Sequence, residues 1–387
     1  MPPCCFLRAG PASLVLVLGL AAGVGGALAA GDGERPSAPG KDPGVESIRA
    51  AVARALPLLV KAGAEEYPRH RDCFSCHNQA VPALALDLAR RRGFAVDADT
   101  LRSIAEHTEA DLSTAIDDYR KGKGQPGSVI RAGYALLALE AAGWEPDETT
   151  DAVAHYLKAV PGRRNHWLAQ SQRPPSESSD FTATALALRG LHAFERRATA
   201  THNDRDSKPT VEPTPPEAQR RIEALKWLLQ TQPRETEDRV FRLWGLKYAG
   251  AGPKDLDAAV ADLIRTQRPD GGWSQLDAPS PAGPPKIPKD QGRGSADAHS
   301  SDAYATGSTL VALHLAGGVA TDLPAYRRGL AFLIKTQRDD GSWFIKSRSK
   351  PFQPYFESGF PHGPDQFISA AATGWAVAAM ALACPAP

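Results

Sequence analysis

The chain contains 387 residues, of which 42% are hydrophobic and 23% are charged. This composition is typical of a folded globular protein and excludes wholesale disorder. The 45 Lys and Arg residues are balanced by 44 Asp and Glu residues. The charge pattern therefore predicts neither nucleic acid nor an anionic membrane surface as a partner.

The first thirty residues have the pattern of a secretory signal peptide. Arg8 precedes an apolar stretch, Ala12–Ala22, and the segment ends in small residues at Ala30. A retained membrane anchor is the alternative, but the five glycines within Gly10–Gly26 disfavour a stable span. We therefore predict a signal peptide over 1–30, export to the periplasm or the extracellular space, and no membrane span after its removal.

A flexible tether rich in Gly, Pro and Ser follows at 31–44, and helical periodicity then begins. We predict a single all-α domain over 45–384. Without the signal peptide the chain keeps Cys73, Cys76 and Cys384, too few for a disulfide-stapled fold, so packing must hold the domain together. Twelve helices are predicted, at 45–66, 79–92, 98–121, 128–142, 147–160, 180–197, 215–231, 237–250, 254–267, 302–317, 322–336 and 367–383.

The predicted helices alternate between two kinds, and no strand pattern interrupts them. The odd-numbered helices are amphipathic and charged, as in 215–231. The even-numbered helices are apolar on nearly all sides, as in 128–142 and 367–383. Helices of the second kind are expected inside a protein. The alternation therefore predicts an inner ring of helices surrounded by an outer ring.

Internal repeats support this architecture. The segment Leu263–Trp273 recurs as Leu333–Trp343, and the start of the following inner helix, Ser301–His314, resembles Ser179–His192. The first pair of segments shares the pattern Gln-x-x-Asp-Gly-Gly/Ser-Trp.

This pattern resembles the QW repeat of squalene-hopene cyclases and their relatives. The resemblance is strongest over 215–384. It implies the α/α toroid of terpenoid cyclases and protein prenyltransferases, with six helical hairpins closed around a central cavity. It also implies that the Gln and Trp side chains of this pattern are structural contacts between hairpins rather than catalytic groups. The side chains concerned are Gln267, Trp273, Gln337 and Trp343.

In such a ring, all loops that lead from an outer to an inner helix lie on one rim. Long insertions and chemically unusual residues fall in these loops, so we expect a ligand to enter from this side. Asp302 and Asp180 are the catalytic candidates on this rim, with simple helix N-capping as the alternative. The rim segments are Cys73–His77, His166–Trp167, Ser179–Asp180, Glu237–Asp238, the insertion 274–300, Asp302 and the aromatic loop 344–367.

Four aromatic residues of the predicted inner helices are candidates for lining the central cavity. An aromatic ring there can contact an apolar ligand, and ordinary core packing is the alternative. The candidates are Tyr304, Trp375, Trp244 and Tyr134.

Cys73-Phe74-Ser75-Cys76-His77 has the CxxCH spacing of a c-type haem attachment site. Two thiols at this spacing can form thioethers with the haem vinyl groups, and the adjacent imidazole can ligate the iron. The motif predicts one haem held by Cys73, Cys76 and His77, although no sixth ligand is evident. A disulfide between the two cysteines, free thiols or another metal site remain alternatives.

The catalytic acid that the cyclase resemblance implies has no counterpart in the chain. Cyclases of this type use an Asp of a DxDD motif, and the nearest string here, Asp97–Thr100, is typical of a helix cap. Asp117 and Asp118 lack the third carboxylate of a magnesium-binding cluster, and no prenyltransferase zinc site is evident. We therefore expect this chemistry to be lacking.

The sequence as a whole predicts an exported toroid that binds a ligand, either an apolar small molecule or a glycan, in its central cavity. Two alternatives stay open. One is a haem-dependent redox or electron-transfer protein. The other is a terpenoid cyclase or another enzyme acting on an apolar substrate in the cavity.

Overall fold

The computed structural model describes residues 43–159, 165–199, 215–276, 296–351 and 354–387. These residues belong to one compact unit, Lys41–Pro387. The predicted signal peptide, nearly all of the predicted tether and most of the insertion 274–300 lie outside the described residues.

Helices account for most of the described chain, and several of them are joined by short irregular helices. A π-helix, Lys61–Glu66, links the first two α-helices, and a second one, Cys76–Ala80, leads into the third. In chain order the α-helices are α1 (Val45–Val60), α2 (Tyr67–His70), α3 (Val81–Arg91), α4 (Ala98–Ser113), α5 (Ile116–Arg120), α6 (Ser128–Ala142), α7 (Glu148–Ala159), α8 (Asp180–Thr199), α9 (Pro215–Gln230), α10 (Thr236–Ala249), α11 (Pro253–Arg265), α12 (Ala303–Leu315), α13 (Pro324–Thr336) and α14 (Gln366–Leu382).

The helices form two concentric rings. The inner ring consists of α3, α6, α8, α10, α12 and α14; each contacts the next, and α14 contacts α3, so the ring is closed. The outer ring consists of α1, α4, α7, α9, α11 and α13, and each of these packs against two neighbouring inner helices. This arrangement confirms the predicted α/α toroid of six hairpins.

The inner helices are apolar because they are covered on all sides. Every residue of α12 from Ala303 to Leu313 is buried, and so is α14 from Ile368 to Leu382. Small residues let these helices approach closely. At Gly307, a Cβ atom would lie 2.6 Å from the backbone carbonyl carbon of Trp375, so this contact requires glycine.

Three tryptophans fasten the hairpins in the same way. The indole Nε1 of Trp273 donates a hydrogen bond to the Leu263 carbonyl at 2.8 Å, and its backbone N–H donates to Thr306 Oγ1 at 2.9 Å. Trp343 makes the equivalent bonds one hairpin later, and Trp167 makes them earlier in the chain, where the sequence pattern did not reveal a repeat. The acceptors are Leu333 and Thr373 for Trp343, and Leu157 and Thr184 for Trp167.

The two predicted structural glutamines connect successive outer helices. Gln267 Nε2 donates hydrogen bonds to the carbonyls of Gly271 and Ala325, both at 2.8 Å, and thereby reaches from the end of α11 to α13. Gln337 uses the same geometry at the end of α13, where it binds the carbonyl of Gly341 and a carbonyl of α1.

Most helix boundaries differ from the predicted ones by one or two residues, and two predicted helices change character before they end. The predicted helix 98–121 is interrupted, because the Thr114 hydroxyl binds the Asp111 carbonyl at 2.7 Å and competes with the helical ladder. The predicted helix 45–66 ends as an α-helix at Val60 and continues as the π-helix.

A short sheet also forms where no strand was expected. Strands β1 (Trp273–Ser274) and β2 (Ser301–Asp302) pair antiparallel, with Trp273 opposite Asp302. The pairing brings together the two ends of the insertion that separates them. Among the residues that the structure describes, no helix combines the length and the apolar character needed to cross a bilayer.

Candidate functional site: a polar cluster inside the ring

Five consecutive inner helices each place one polar side chain in a common buried cluster. We call Tyr134, Thr182, Glu237, Tyr304 and Trp375, from α6, α8, α10, α12 and α14, the axial cluster; all five are buried. The Thr182 hydroxyl and the Tyr304 hydroxyl each donate a hydrogen bond to Glu237 Oε1 at 3.3 Å. Tyr134 and Trp375 are close enough to Tyr304 to influence the pKa of a phenol in the cluster.

Several polar atoms of this cluster have unused hydrogen-bonding capacity. Tyr134 Oη, Glu237 Oε2 and Trp375 Nε1 are buried without a hydrogen-bond partner among the described residues, and so is Thr309 Oγ1 on α12. A buried polar group left without a partner costs about 1–3 kcal/mol. Such groups are rare in native proteins, so their occurrence together in the axial cluster marks it as a candidate binding site.

The surroundings of the Glu237 carboxyl favour its protonated, uncharged form. Burial raises its pKa well above the ordinary value, and the neighbouring carboxylate of Glu235 raises it further. Hydrogen bonds from Thr182 and Tyr304 act in the opposite direction but are outweighed. Because Oε1 already accepts two hydrogen bonds, Oε2 is the oxygen that can carry the proton and donate a hydrogen bond when the carboxyl is protonated.

The two tyrosines of the axial cluster also keep their protons. Burial raises the pKa of both Tyr134 and Tyr304 well above that of a free phenol, and the nearby Glu237 acts in the same direction. The cluster therefore offers uncharged hydrogen-bonding groups in apolar surroundings. It suits an uncharged ligand better than an ion.

Trp244, the fourth cavity candidate, belongs to a different group of residues. Its ring stacks on Tyr248 with 5.9 Å between centroids, and the Arg189 guanidinium lies 5.0 Å from the centroid of Trp244. Arg189 Nε donates a hydrogen bond to Glu140 Oε2 at 2.7 Å. These residues lie toward the C-terminal ends of α6, α8 and α10, whereas Thr182, Glu237 and Tyr304 lie near the N-terminal ends.

The two catalytic candidates hold the rim together. Asp302 caps α12, because its Oδ1 accepts a hydrogen bond from the Ala305 N–H at 2.8 Å. Burial raises the pKa of Asp302 to about 6. Asp180 Oδ1 accepts from the Ala169 N–H at 2.8 Å, and its Oδ2 lies 3.5 Å from His166 Nε2. Asp302 also accepts a hydrogen bond from the backbone N–H of Tyr304, a member of the axial cluster.

The loops of the predicted rim contact one another. Ser179 Oγ donates to Asp238 Oδ1 at 2.6 Å, which joins the loop before α8 to α10. Arg348 donates to Gln275 Oε1 at 3.1 Å, and Ser349 donates to the Pro174 carbonyl at 3.1 Å. The aromatic loop 344–367 therefore lies over both neighbouring loops.

The cysteines of the CxxCH motif are free thiols at the start of an inner helix. The Cys73 sulfur lies 3.6 Å from the Tyr67 hydroxyl, and Ser75 Oγ accepts a hydrogen bond from the Asn78 N–H. Burial raises the pKa of the Cys76 thiol well above the ordinary value, and the nearby Glu177 raises it further. Cys76 is therefore protonated at neutral pH.

Both ring nitrogens of His77 face groups of the protein. Nε2 lies 2.8 Å from Ser176 Oγ, and Nδ1 lies 3.5 Å from Glu177 Oε1. Burial lowers the pKa of His77, so the ring is neutral at neutral pH. An iron ligand needs a ring nitrogen that points at the metal, and this arrangement leaves none. The residues as placed do not fit a haem, and the described residues contain no group of three or more His, Cys, Asp or Glu side chains arranged to hold a metal ion.

A pocket on the outside of the ring lies apart from these groups. It has a volume of about 640 Å³ and is open to solvent at the side where α6 leads into α7. Its lining is mostly charged, and it contains none of the residues singled out in the sequence: Arg120, Asp147, Glu148, Asp151, Ala152 and His155.

From the sequence, Glu237 was predicted to lie on the rim but was assigned no role, and Ser176 was not singled out. Glu237 follows Glu235 and precedes Asp238, a run of acids at a helix start that is typical of capping. Ser176 lies in an irregular loop without a motif. Their surroundings come from distant parts of the chain, so local patterns carry no signal for them.

A closed double ring of helices with polar groups at its centre defines an α/α toroid protein, and solved structures share this fold. One is a variant of the type II terpene cyclase MstE from Scytonema in complex with merosterolic acid A. It matches with a TM-score of 0.53 and 14% sequence identity over 89% of this chain and 99% of that chain. A second MstE variant, in complex with geranylgeranyl dihydroxybenzoate, gives a TM-score of 0.52 and 15% identity with the same coverage.

A glycosidase variant in complex with glucose gives a TM-score of 0.49 and 12% identity over 88% of this chain and 98% of that chain. The likeness to the two MstE structures shows the fold. No protein-family model matches the chain, and no curated protein matches it either.

Proposed function

We propose that the protein binds an uncharged, mainly apolar small molecule inside the ring, at the axial cluster. The observation that carries the proposal is the set of buried, unpartnered polar atoms, Tyr134 Oη, Glu237 Oε2 and Trp375 Nε1, at the centre of an otherwise apolar inner ring. A hydroxyl or carbonyl group of a ligand would pair with them and remove their desolvation penalty.

The apolar character of the inner helices favours an apolar ligand over a glycan. The helices that surround the cluster are rich in Ala and Leu, and neutral Glu237 provides no charge. The two matching MstE structures hold a geranylgeranyl compound and merosterolic acid A. Geranylgeraniol, an apolar chain with one hydroxyl, is therefore a suitable probe, and glucose is the glycan probe.

The test is thermal unfolding of the purified protein with each probe. Geranylgeraniol at about 100 times its Kd is expected to add about 3 kcal/mol to the free energy of unfolding. Glucose should have no effect. An increase in the free energy of unfolding with glucose alone would indicate that the ligand is a glycan and not an apolar molecule. No increase with either probe would contradict binding of both ligand classes.

A pair of tyrosine variants separates binding from stability. Tyr134→Phe removes an unpartnered hydroxyl, so it should leave the ligand-free protein as stable as wild type while reducing the geranylgeraniol shift. The matched control is Tyr326→Phe, because the Tyr326 hydroxyl is buried but donates a hydrogen bond to the Ala379 carbonyl at 2.9 Å. The control should lower stability by about 1 kcal/mol and keep the shift.

A second candidate function is acid catalysis on the bound molecule. The observation in its favour is the buried Glu237 carboxyl, whose raised pKa favours the protonated form and whose Oε2 has no hydrogen-bond partner among the described residues. The chain lacks the DxDD motif of the cyclase family, so we propose binding without cyclase chemistry as the primary function. Incubation with geranylgeraniol or squalene, followed by mass spectrometry, decides between them, since cyclised product from wild type but not from Glu237→Gln would establish catalysis.

We also propose that the protein is exported through its predicted signal peptide at 1–30. The apolar stretch and small residues of that segment support the proposal. Cell fractionation of a C-terminally tagged chain tests it. Recovery from the periplasm or the medium with residues 1–30 removed is expected, and a full-length cytoplasmic product would contradict it.

The glutamine and tryptophan contacts support the interpretation of Gln267–Trp273 and Gln337–Trp343 as QW-type repeats, which we propose on that basis. The haem stays a prediction of the CxxCH motif, and the hydrogen-bonded His77 gives it no support. A Soret band and a pyridine haemochrome spectrum of the exported protein would establish a haem.

A further inference from the structure

Ser176, His77 and Glu177 have the relative geometry of a nucleophile, a base and an orienting carboxylate. Ser176 Oγ lies 2.8 Å from His77 Nε2, so the hydroxyl can donate its proton to the ring. The other ring nitrogen, Nδ1, lies 3.5 Å from Glu177 Oε1. Catalytic contacts in ligand-free enzymes are often this long and shorten when substrate binds.

The Glu177 oxygen that does not face His77, Oε2, is held by two other side chains. Glu177 Oε2 forms an ion pair with Arg173 and accepts a hydrogen bond from Ser171 Oγ at 3.4 Å. The backbones of Arg173 and Glu177 also pair, with the Glu177 N–H donating to the Arg173 carbonyl at 2.9 Å. This tight loop fixes Ser176 against His77, and Oε1 remains directed at the imidazole.

A second serine–histidine pair in the protein lacks this arrangement. Ser342 Oγ lies 2.7 Å from His362 Nε2, but the Ser342 hydroxyl donates its proton to Asp340 Oδ1 at 2.6 Å. That proton is therefore committed to a carboxylate instead of the imidazole. The comparison singles out Ser176 as the serine whose proton faces a histidine.

We propose that Ser176 is a nucleophile that attacks carboxylic esters, with His77 as its general base and Glu177 orienting the imidazole. This activity goes beyond the proposed ligand binding and does not depend on it. The Ser176 oxygen adds to the ester carbonyl carbon while its proton moves to His77 Nε2. The bond from the carbonyl carbon to the alcohol oxygen then breaks, and His77 returns the proton to the departing alcohol.

The second half of the reaction regenerates the serine. Water adds to the acyl group on Ser176 and gives one proton to His77 Nε2. The carboxylic acid leaves as the bond to Ser176 Oγ breaks, and Ser176 recovers its proton from His77. Atoms balance with one water consumed per ester, and no oxidant, metal or cofactor takes part.

Position favours an ester that enters from the rim. His77 lies in the π-helix that leads into α3, it contacts Ser176 in the loop before α8, and its side chain is partly exposed. Glu177 and Cys76 are also close enough to Tyr134 of the axial cluster to influence its pKa.

The test uses the whole protein, the small serine reagent diisopropyl fluorophosphate and the ester p-nitrophenyl acetate. Peptide mass spectrometry of the labelled wild type should find the adduct on Ser176, a readout that needs no variant. Ester hydrolysis should fall about 100-fold or more in Ser176→Ala and His77→Gln. The matched control Ser342→Ala should keep the hydrolysis rate.

Three results would overturn the proposal. They are no adduct on Ser176 with no ester hydrolysis by wild type, an adduct confined to other serines, and equal hydrolysis by wild type and Ser176→Ala. The geranylgeraniol shift is measured separately, so a failure at Ser176 leaves the proposed ligand binding to stand or fall by its own result.

Discussion

The side-chain amide of Gln337 donates a hydrogen bond to the backbone carbonyl of Ala51 at 2.8 Å, between positions 286 residues apart. Its oxygen accepts a hydrogen bond from Arg54, and its nitrogen also binds the Gly341 carbonyl at 2.9 Å. Gln267 makes the same set of bonds to α13, with Arg328 in place of Arg54. The same set of glutamine hydrogen bonds therefore joins consecutive outer helices, α11 to α13, and the last outer helix to the first, α13 to α1.

Gln337→Ala tests the closing contact, with Gln267→Ala as the matched control. Each variant leaves buried carbonyls without their amide donor and should lower the free energy of unfolding by about 1–3 kcal/mol. Urea denaturation measures this loss. Hydrogen exchange should rise in α1 for Gln337→Ala only, and equal exchange of α1 in both variants would contradict a special closing role.

Gly307→Ala tests the close approach of α12 and α14. A methyl group there would meet the backbone of Trp375 at 2.6 Å, and backbone cannot move aside cheaply, so we expect a loss of about 2–3 kcal/mol. Gly252→Ala is the control, since its φ is −71° and nothing lies within 4 Å of the new methyl. Its stability should change by less than about 1 kcal/mol. A Gly307→Ala protein as stable as wild type would show that the rings are less tightly packed than described.

Asp302→Asn tests the buried cap of α12. The pKa of Asp302 is about 6 in the folded protein and 3.8 as the ordinary value, so the folded state binds more protons between these values. Stability from this group is therefore fully present below about pH 4 and is lost as the pH rises to about 6. Asn keeps the acceptor for the Ala305 N–H without ionising.

Above pH 6 the Asn variant should exceed wild type by about 2 kcal/mol, because a shift of one pKa unit corresponds to about 1.4 kcal/mol and partial exposure reduces the effect. At pH 4 the two proteins should unfold at the same urea concentration. A difference that stays constant from pH 4 to pH 8 would disprove the raised pKa.

Glu237→Gln and Glu237→Ala test the neutral acid of the axial cluster. The pKa of Glu237 is raised above its ordinary value of 4.5, so the unfolded chain ionises first and the folded wild type loses stability as the pH rises above about 4.5, whereas Gln cannot ionise. Wild type should therefore lose stability relative to Glu237→Gln as the pH rises.

Glu237→Ala should lose about 2–4 kcal/mol at neutral pH, since it opens a cavity and removes the acceptor of Thr182 and Tyr304. Chemical denaturation across pH measures both effects. If Gln and Ala behaved alike at every pH, the carboxyl would not be the buried, hydrogen-bonded group described.

Much of the fold was predictable, because hydrophobic pattern and breaker residues are local signals. Helix α6 was predicted at 128–142 and lies at Ser128–Ala142, since Gly127 and Gly143 mark its two ends. Uniform apolarity distinguished the inner helices from the outer ones. The sequence pattern did not reveal Trp167 as a hairpin contact because Gln and Gly are missing six and two residues before it, where the other copies have them, although its hydrogen bonds are the same.

The candidate site was only partly predictable, because its chemistry arises from residues far apart in the chain. Tyr134, Tyr304 and Trp375 were singled out as aromatic residues of inner helices, and they do meet. The significance of Glu237 depends on Thr182 and Tyr304, which are 55 and 67 residues away. Local sequence shows an acid at a helix start and cannot show its burial.

The surroundings of His77 were also not predictable, because its partner is distant in the chain. Its CxxCH context predicts an iron ligand, whereas its hydrogen-bond partner Ser176 is 99 residues away in a loop without a motif. The sequence also does not show which residues of different inner helices lie at the same level of the ring. Trp244 was grouped with the cavity residues, yet it packs with Arg189 and Tyr248 instead.

Because the axial cluster takes one side chain from each of five inner helices, no chain that ends before α14 contains it. Tyr134 is translated long before Trp375, and the two meet only after every intervening hairpin has been added. A nascent chain that ends before α14 would therefore lack the complete site proposed for the ligand. A ligand that binds only the complete ring would stabilise it after the last hairpin has folded, so ligand binding would require the closed ring.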